Sequence, residues 1–146
     1  MVSAQAGFFQ IRFRADPIEL ALVRGGLNRW LLGIEWPTAD RQDAVLAINE
    51  ACDNCVQQAW LRDGRGEVEV VARLVISLHD RRIVVVVRDH GPSPSAGGVG
   101  DGAWLTMANA CMDRVQVRSA GGETTVTMTS RPVPLLNAAA GGSIDV

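Results

Sequence analysis

The sequence contains no lysine, because all 14 of its basic residues are arginine. This absence excludes a Walker-type phosphate loop, whose lysine contacts the phosphates, and an enzyme that forms a Schiff base through a lysine amine. No apolar run approaches the roughly 20 residues that a membrane-spanning helix needs. The first residues, MVSAQAGFF, also lack the basic and apolar segments of a signal peptide. We therefore expect no membrane partner.

Cysteine and net charge are also scarce in this chain. Three cysteines, an odd number, favour a reducing compartment, and we predict a cytoplasmic protein. A net charge of −2 gives no broad attraction to nucleic acid, so none is expected as a direct partner. The length of 146 residues and the 47% hydrophobic fraction are typical of one globular domain with its own core.

The hydrophobic pattern predicts an α+β fold. Strict alternation indicates strands, and apolar residues every three or four positions indicate helices. The predicted elements are a strand at 7–15, a helix from Asp16-Pro17 to Ile34, a helix at 39–62, a hairpin of 67–80 and 82–89 turning at 80–82, a helix at 103–112, and a hairpin of 113–120 and 123–131. This order predicts an α/β sandwich: one mostly antiparallel mixed sheet covered on one face by helices. The domain is expected to span 1–131, with 132–146 a flexible tail.

The stretch NEACDNCVQQAW, residues 49 to 60, offers two chemistries on the second helix. Helical phase places Cys52 and Cys55 on the apolar stripe, and it places Glu50 and Asn54 together off that stripe. A redox cysteine pair normally lies at a helix N-terminus, whereas this pair is mid-helix. We therefore interpret the cysteines as small buried residues. On spacing alone, Glu50 and Asn54 are ordinary exposed polar residues.

Three later segments add polar and glycine-rich features in a definite order. Asp89 ends a hydrophobic strand, and Gly91 follows it closely. The glycines of GGVGDG then alternate directly before a helix, where backbone N–H groups and the positive helix end can bind phosphate. Such a glycine pattern alone is equally typical of a flexible loop. Finally, GGETT leads two threonines into the last strand.

Taken in order, Glu-x-x-x-Asn, Asp-x-Gly, Gly-x-Gly-x-Gly and Gly-x-Thr-Thr resemble the motifs of the GHKL (Bergerat-fold) ATPase/kinase superfamily. The resemblance covers residues 7–131 and is greatest to the bacterial anti-sigma factors that are also serine kinases. It implies a Bergerat ATP-binding fold with ATP and Mg²⁺ as cofactors. The nucleotide-binding residues that it implies are Asn54, Asp89, Gly91, Gly98, Gly100, Gly102 and Thr125.

The resemblance also assigns roles to these residues. Glu50 corresponds to the general base that accepts the proton of the substrate hydroxyl, and Asn54 to the Mg²⁺ ligand. Asp89 corresponds to the residue that binds the adenine amino group, in a pocket shaped by Gly91, with Thr125 nearby. The implied partners are a STAS-type anti-anti-sigma factor, which is phosphorylated, and an alternative sigma factor. Members of the branch commonly form homodimers. The resemblance places Arg24 near their partner contacts, and an ordinary solvated helix arginine is the alternative interpretation of this residue.

Two alternatives remain open from the sequence. Ser93 and Pro94 replace an expected second glycine and its neighbour, and Asp101 adds a carboxylate among the phosphate glycines. These departures favour a degenerate regulator that uses the same fold to bind proteins with weak or no kinase activity. A redox or metal protein that uses the three cysteines is the other alternative, although no zinc-like spacing supports it.

Overall fold

The structure is a computed structural model that describes residues 2–61, 66–90 and 102–136. Within these ranges the strands are β1 (Val2–Gln5), β2 (Phe8–Arg14), β3 (Glu67–Ile76), β4 (Asp80–Asp89), β5 (Arg114–Ala120), β6 (Glu123–Thr129) and β7 (Val133–Pro134). The helices are α1 (Leu20–Gly33), α2 (Thr38–Leu61) and α3 (Ala103–Cys111), and a 3₁₀ turn at Pro17–Glu19 precedes α1. None of the described helices is both long and apolar enough to span a membrane.

All the strands join one sheet with the order β1-β2-β3-β4-β6-β5, and β7 pairs with the start of β4. Every described pair is antiparallel. Alternate residues of β2, β4 and β6 are buried, which shows that one sheet face is covered and the other is open. The three helices contact the sheet through β1, β2, β4 and β5. The predicted α+β sandwich is therefore confirmed, although the described part of the sheet is wholly antiparallel.

The core lies between the covered face and the helices. Phe9 and Ile11 of β2 are buried against the apolar side of α1, including Leu27 and Leu31. Asp16 caps the first turn as predicted, because its carboxylate accepts a hydrogen bond of 3.0 Å from the Ile18 N–H. The helical turn therefore begins where the Asp-Pro pair predicts.

The β3–β4 turn lies at residues 77–79, earlier than the predicted 80–82. Ser77 closes it, with its N–H bound to the carbonyl of Asp80 and its hydroxyl 2.8 Å from the Asp80 carboxylate. The prediction was wrong because the charged Arg81 looked like a turn residue. Arg81 is instead a buried member of the strand, only 3% exposed.

Both ends of the described chain contain strands that the sequence pattern did not predict. Four residues at the N-terminus form β1, which pairs with β2. Val133 is buried and pairs with Arg81, so the predicted tail at 132–146 is wrong for Val133–Pro134. A two-residue strand is too short to show alternation, which explains why the pattern missed it. Residues 137–146 lie outside the described ranges.

Candidate functional site

Glu50 and Asn54 lie one turn apart on α2, so their side chains are neighbours on one helix face. Both are half-buried, and both line a cavity of about 150 Å³ between α2 and the start of α3. The other lining residues are Asp53, Gln57, Ala103 and Trp104. This placement agrees with the helical phase predicted from the sequence.

The N-terminus of α3 supplies the other wall of this cavity. Gly102 is the N-cap of α3, and as a glycine it has no side chain with which to cap the first turn. The first N–H groups of a helix have no partner within the helix and carry its positive end, so they favour an anion. The buried Trp104 anchors α3, while Ala103 beside it is exposed. The cavity therefore places a group of side-chain oxygens opposite a helix N-terminus.

The donor set tests whether Mg²⁺ and phosphate fit here. Glu50 and Asp53 contribute carboxylates, while Asn54 and Gln57 contribute amides, and hard cations such as Mg²⁺ prefer oxygen ligands of this kind. Two carboxylates would repel a bare phosphate, so a cation is needed between them. Among the described residues, no three His, Cys, Asp or Glu side chains form a metal cluster.

The size of the cavity limits what it can hold. Sites for whole small ligands usually enclose about 300–1,000 Å³. At about 150 Å³, this cavity is smaller than such sites and has room for a group of the size of a phosphate rather than for a whole nucleotide. The predicted residues Gly91, Gly98 and Gly100 lie outside the described ranges, as do Ser93, Pro94 and Asp101.

Asp89 and Thr124 form a second polar group, at the end of β4. The Asp89 side chain points to the covered face and is 4% exposed, and its register partner on β6 is Thr124. Thr124 is also buried, and its hydroxyl lies 3.3 Å from the Ser119 hydroxyl. Because α2 contacts both β4 and α3, this polar group and the cavity lie on the same side of the sheet.

The structure separates Thr125 from the other predicted residues. Thr125 pairs with Arg88 on the open face, on the opposite side of the sheet from Asp89. Thr124 occupies the covered position instead, in phase with the buried Val126 and Met128. The alternation of residues in this strand of the sequence could have identified Thr124, rather than Thr125, as the threonine on the covered face.

The cysteines belong to the core, as helical phase predicted. Cys52 is 0% exposed and Cys55 is 4% exposed. Burial, with a smaller contribution from the nearby Asp53, raises the pKa of the Cys52 thiol far above its ordinary value. Such a thiol is a poor nucleophile and a poor metal ligand, so these residues do not form a redox or metal site.

Comparison with known proteins identifies the family of this chain. A family model described as "Histidine kinase-like ATPase domain" matches residues 13–130. Similar curated proteins are the serine-protein kinase RsbW of Bacillus velezensis, 28% identical and covering 88% of each chain, and that of Bacillus subtilis, 26% identical and covering 85% of each. The solved RsbU and RsbW domains of Rv1364c from Mycobacterium tuberculosis match with a TM-score of 0.64 and 26% identity. That match covers 84% of this chain and 32% of the larger protein. The chain therefore belongs to the histidine kinase-like (GHKL) ATPase family, in the branch of the anti-sigma factor serine-protein kinases.

Proposed function

We propose that this protein is a cytoplasmic anti-sigma factor and serine/threonine protein kinase that binds Mg·ATP. Its phosphorylation substrate is a STAS-type anti-anti-sigma factor, and the process that it regulates is transcription by an alternative sigma factor. The observation that carries the proposal is the cavity in which Glu50 and Asn54 face the N-terminus of α3. A base, a metal ligand and a cradle of N–H groups are the parts that phosphoryl transfer requires.

In this proposal Glu50 is the general base. Its carboxylate is half-buried at the cavity wall, where a serine or threonine hydroxyl of the substrate can approach it. Accepting the hydroxyl proton leaves an alkoxide-like oxygen that bonds to the γ-phosphorus, while the bond from that phosphorus to the β–γ bridging oxygen breaks and ADP leaves. Asn54 holds Mg²⁺ through its amide oxygen, and the metal, when bound, neutralises phosphate charge. The N–H groups that begin α3 bind phosphate oxygens.

The adenine end of the nucleotide is assigned to the second polar group. Asp89 is buried on the covered face, and its carboxylate accepts a hydrogen bond from the adenine amino group. Thr124, its register partner, takes the position that the sequence analysis gave to Thr125. The roles of Gly91, Gly98 and Gly100 around the nucleotide stay predictions.

The proposed partners are a STAS protein, a sigma factor and a second copy of this chain. Arg24 is exposed on α1, and its guanidinium donates a hydrogen bond of 3.0 Å to the Asn49 side chain on α2. This contact holds the arginine at the junction of the two helices, on the outer surface. A charged group held there suits protein recognition, which supports its predicted role in partner binding.

Transfer of the γ-phosphate from labelled ATP to candidate STAS proteins tests this function. Glu50→Gln should lower transfer at least about a hundredfold, because a positioned general base contributes about 10²–10⁴ in rate. It should leave Mg·ATP affinity nearly unchanged. Asp43→Asn is the matched control, since Asp43 lies on the same helix, forms its ion pair of 3.0 Å with Arg131, and is not among the residues that line the cavity. Its transfer rate should stay within a few-fold of the wild type.

Calorimetry with Mg·ATP separates this function from the degenerate alternative. Tight binding that is lost in Asn54→Ala supports the kinase. Absence of nucleotide binding, together with retained binding of a sigma factor, would favour the non-catalytic regulator.

Gly102→Ala probes the phosphate cradle without disturbing the fold. A Cβ at this position meets nothing within 4 Å, and the backbone φ of −80° suits alanine. The variant should therefore fold normally but bind Mg·ATP more weakly, because the added methyl group occupies space beside the phosphate. Unchanged affinity would place the phosphates elsewhere.

A further inference from the structure

The two nitrogens of the His90 ring each face a carboxylate. Nδ1 lies 2.9 Å from Oε2 of Glu123, and Nε2 lies 3.4 Å from Oε1 of Glu69. Glu69 belongs to β3 and Glu123 to β6, which are the two strands that flank β4. The backbone N–H of His90 also donates a hydrogen bond of 2.8 Å to the Glu67 carbonyl. The residue that follows β4 is therefore tied to the strands on both sides.

This geometry suits the doubly protonated ring. A neutral imidazole has one N–H donor, whereas the imidazolium has two and can serve both carboxylates. Burial alone would raise the pKa of the Glu69 carboxyl, but hydrogen bonds from Gln10, Arg12 and His90 hold that pKa below its ordinary value. Glu69 is therefore a carboxylate at neutral pH and can accept a hydrogen bond from the ring.

The surroundings of the ring carry charge of both signs. Arg12 lies 3.3 Å from the Glu69 carboxylate and 3.5 Å from that of Glu67, and Arg88 lies 3.8 Å from Glu69. The described charged groups that face the ring region from the packed strands are Arg12 on β2, Glu67 and Glu69 on β3, Arg88 on β4, and Glu123 on β6. Both arginines contact Glu69 or Glu67, so Glu69 is shared between the arginines and His90, whereas Glu123 contacts His90.

Strand alternation places this cluster directly behind Asp89. Glu69 and Arg88 lie on the open face, while Asp89 points to the covered face. We propose that His90, whose ring lies between Glu69 and Glu123, is a positioning residue that fixes the end of β4 and so aims Asp89 at the adenine of the bound nucleotide. The inference rests on the proposed function, since it assumes that Asp89 binds adenine.

A consequence follows for the pH dependence of nucleotide binding. When His90 loses its second proton, one ring nitrogen presents a lone pair to a carboxylate oxygen, and the tie to one flanking strand is lost. The end of β4 then becomes less ordered, and Asp89 is less well aimed. The affinity for Mg·ATP should therefore decrease as the ring deprotonates.

The first experiment measures the Kd of Mg·ATP from about pH 5 to 8, where histidine side chains titrate, for the wild type, His90→Gln and His79→Gln. His79 is the matched control, because it is the other histidine and is exposed in the turn at the opposite end of β4. Wild-type affinity should weaken about fivefold across the titration of the ring, the upper range for a partly exposed ion pair. His79→Gln should follow the wild type, whereas His90→Gln should bind weakly throughout and lack this component of the pH dependence.

The second experiment uses NMR on the nucleotide-free protein, with the two variants assigning the ring signals. The backbone amide signals of Asp89 and Thr124 should move with the titration of His90 and not with that of His79. If His90→Gln does not fold, Glu123→Gln removes the opposite partner, whose side chain is 45% exposed, and should give the same loss of pH dependence.

The outcomes distinguish this inference from the proposed function. If the wild type binds Mg·ATP but its pH profile equals that of His90→Gln, or the Asp89 amide ignores the ring, the positioning role is refuted and the kinase proposal stands. If the wild type binds no Mg·ATP, both proposals fail.

Discussion

Replacing Arg81 with methionine should destabilise the protein strongly, because this side chain joins three segments of the chain. Its guanidinium donates to the carbonyl of Ile34, to that of Glu35 at 2.8 Å and to that of Pro134 at 3.0 Å. It also stacks over the ring of Trp36, 5.1 Å from the centroid. These contacts attach the α1–α2 connection and β7 to the start of β4.

The magnitude follows from these contacts. Arg81→Met removes the donors from one buried and two partly buried carbonyls. A buried acceptor left without a partner costs about 1–3 kcal/mol, and a partly buried one costs less because water can reach it. Methionine recovers part of the packing on the tryptophan ring, so we expect a net loss of about 3–5 kcal/mol in the free energy of unfolding. With an unfolding entropy of about 2.1 cal/mol/K per residue, this corresponds to a decrease in Tm of about 10–16 °C for a chain of this length.

Thermal and urea unfolding, followed by circular dichroism, measure this loss. Arg82→Met is the matched control, since Arg82 is the next residue of β4 and forms a 2.8 Å ion pair with Asp113 that is partly exposed. Such a surface pair contributes about 1 kcal/mol or less, so Tm should change by no more than about 3 °C. An equal decrease in Tm for both variants would refute the assignment of Arg81 as a buried tie between segments.

Three further predictions concern stability and reactivity. Gly25→Ala should stabilise α1 by up to about 1 kcal/mol through helix propensity, whereas Gly26→Ala should lose that gain, because its Cβ would lie 3.1 Å from the Phe9 ring; urea unfolding of the pair checks this. The lowered pKa of Glu69 means that its carboxylate stabilises the folded state above the unfolded pKa of about 4.3 and that this stabilisation is lost as pH falls through the lower folded pKa. Glu69→Gln should therefore have a lower unfolding free energy than the wild type at neutral pH, and the two values should converge in acid. In native thiol labelling followed by mass spectrometry, the half-buried Cys111 should react before the two core thiols; equal rates would contradict the packing of α2.

Much of the fold was predictable because the longer elements repeat a clear pattern. The helices α1 and α2 and the strands β2, β3, β4 and β6 bury regularly spaced apolar residues, and periodicity detects such spacing directly. The errors occurred where a residue contradicted its pattern or where the element was very short. Arg81 is a cation on a buried position, and β7 has only two residues.

The candidate site was predictable to the extent that it depends on helical phase. Glu50 and Asn54 share a face because their spacing of four residues is close to one turn, whatever surrounds the helix. The same geometry assigned Cys52 and Cys55 to the core. By contrast, the sequence analysis named only Thr125, because the motif alone does not show which of two adjacent threonines faces the helices.

The sequence by itself therefore determined the family, the order of the main elements and the pairing of Glu50 with Asn54, because these depend on local spacing along the chain. Only the tertiary structure decided which side chains lie next to Asp89 on the covered face and which lie on the open face of the sheet at the same level. The choice of Thr124 and the contacts of His90 depend on the register between β3, β4 and β6, where a shift of one residue reverses every side chain. That register is set by packing between residues far apart in the sequence, which no local pattern records.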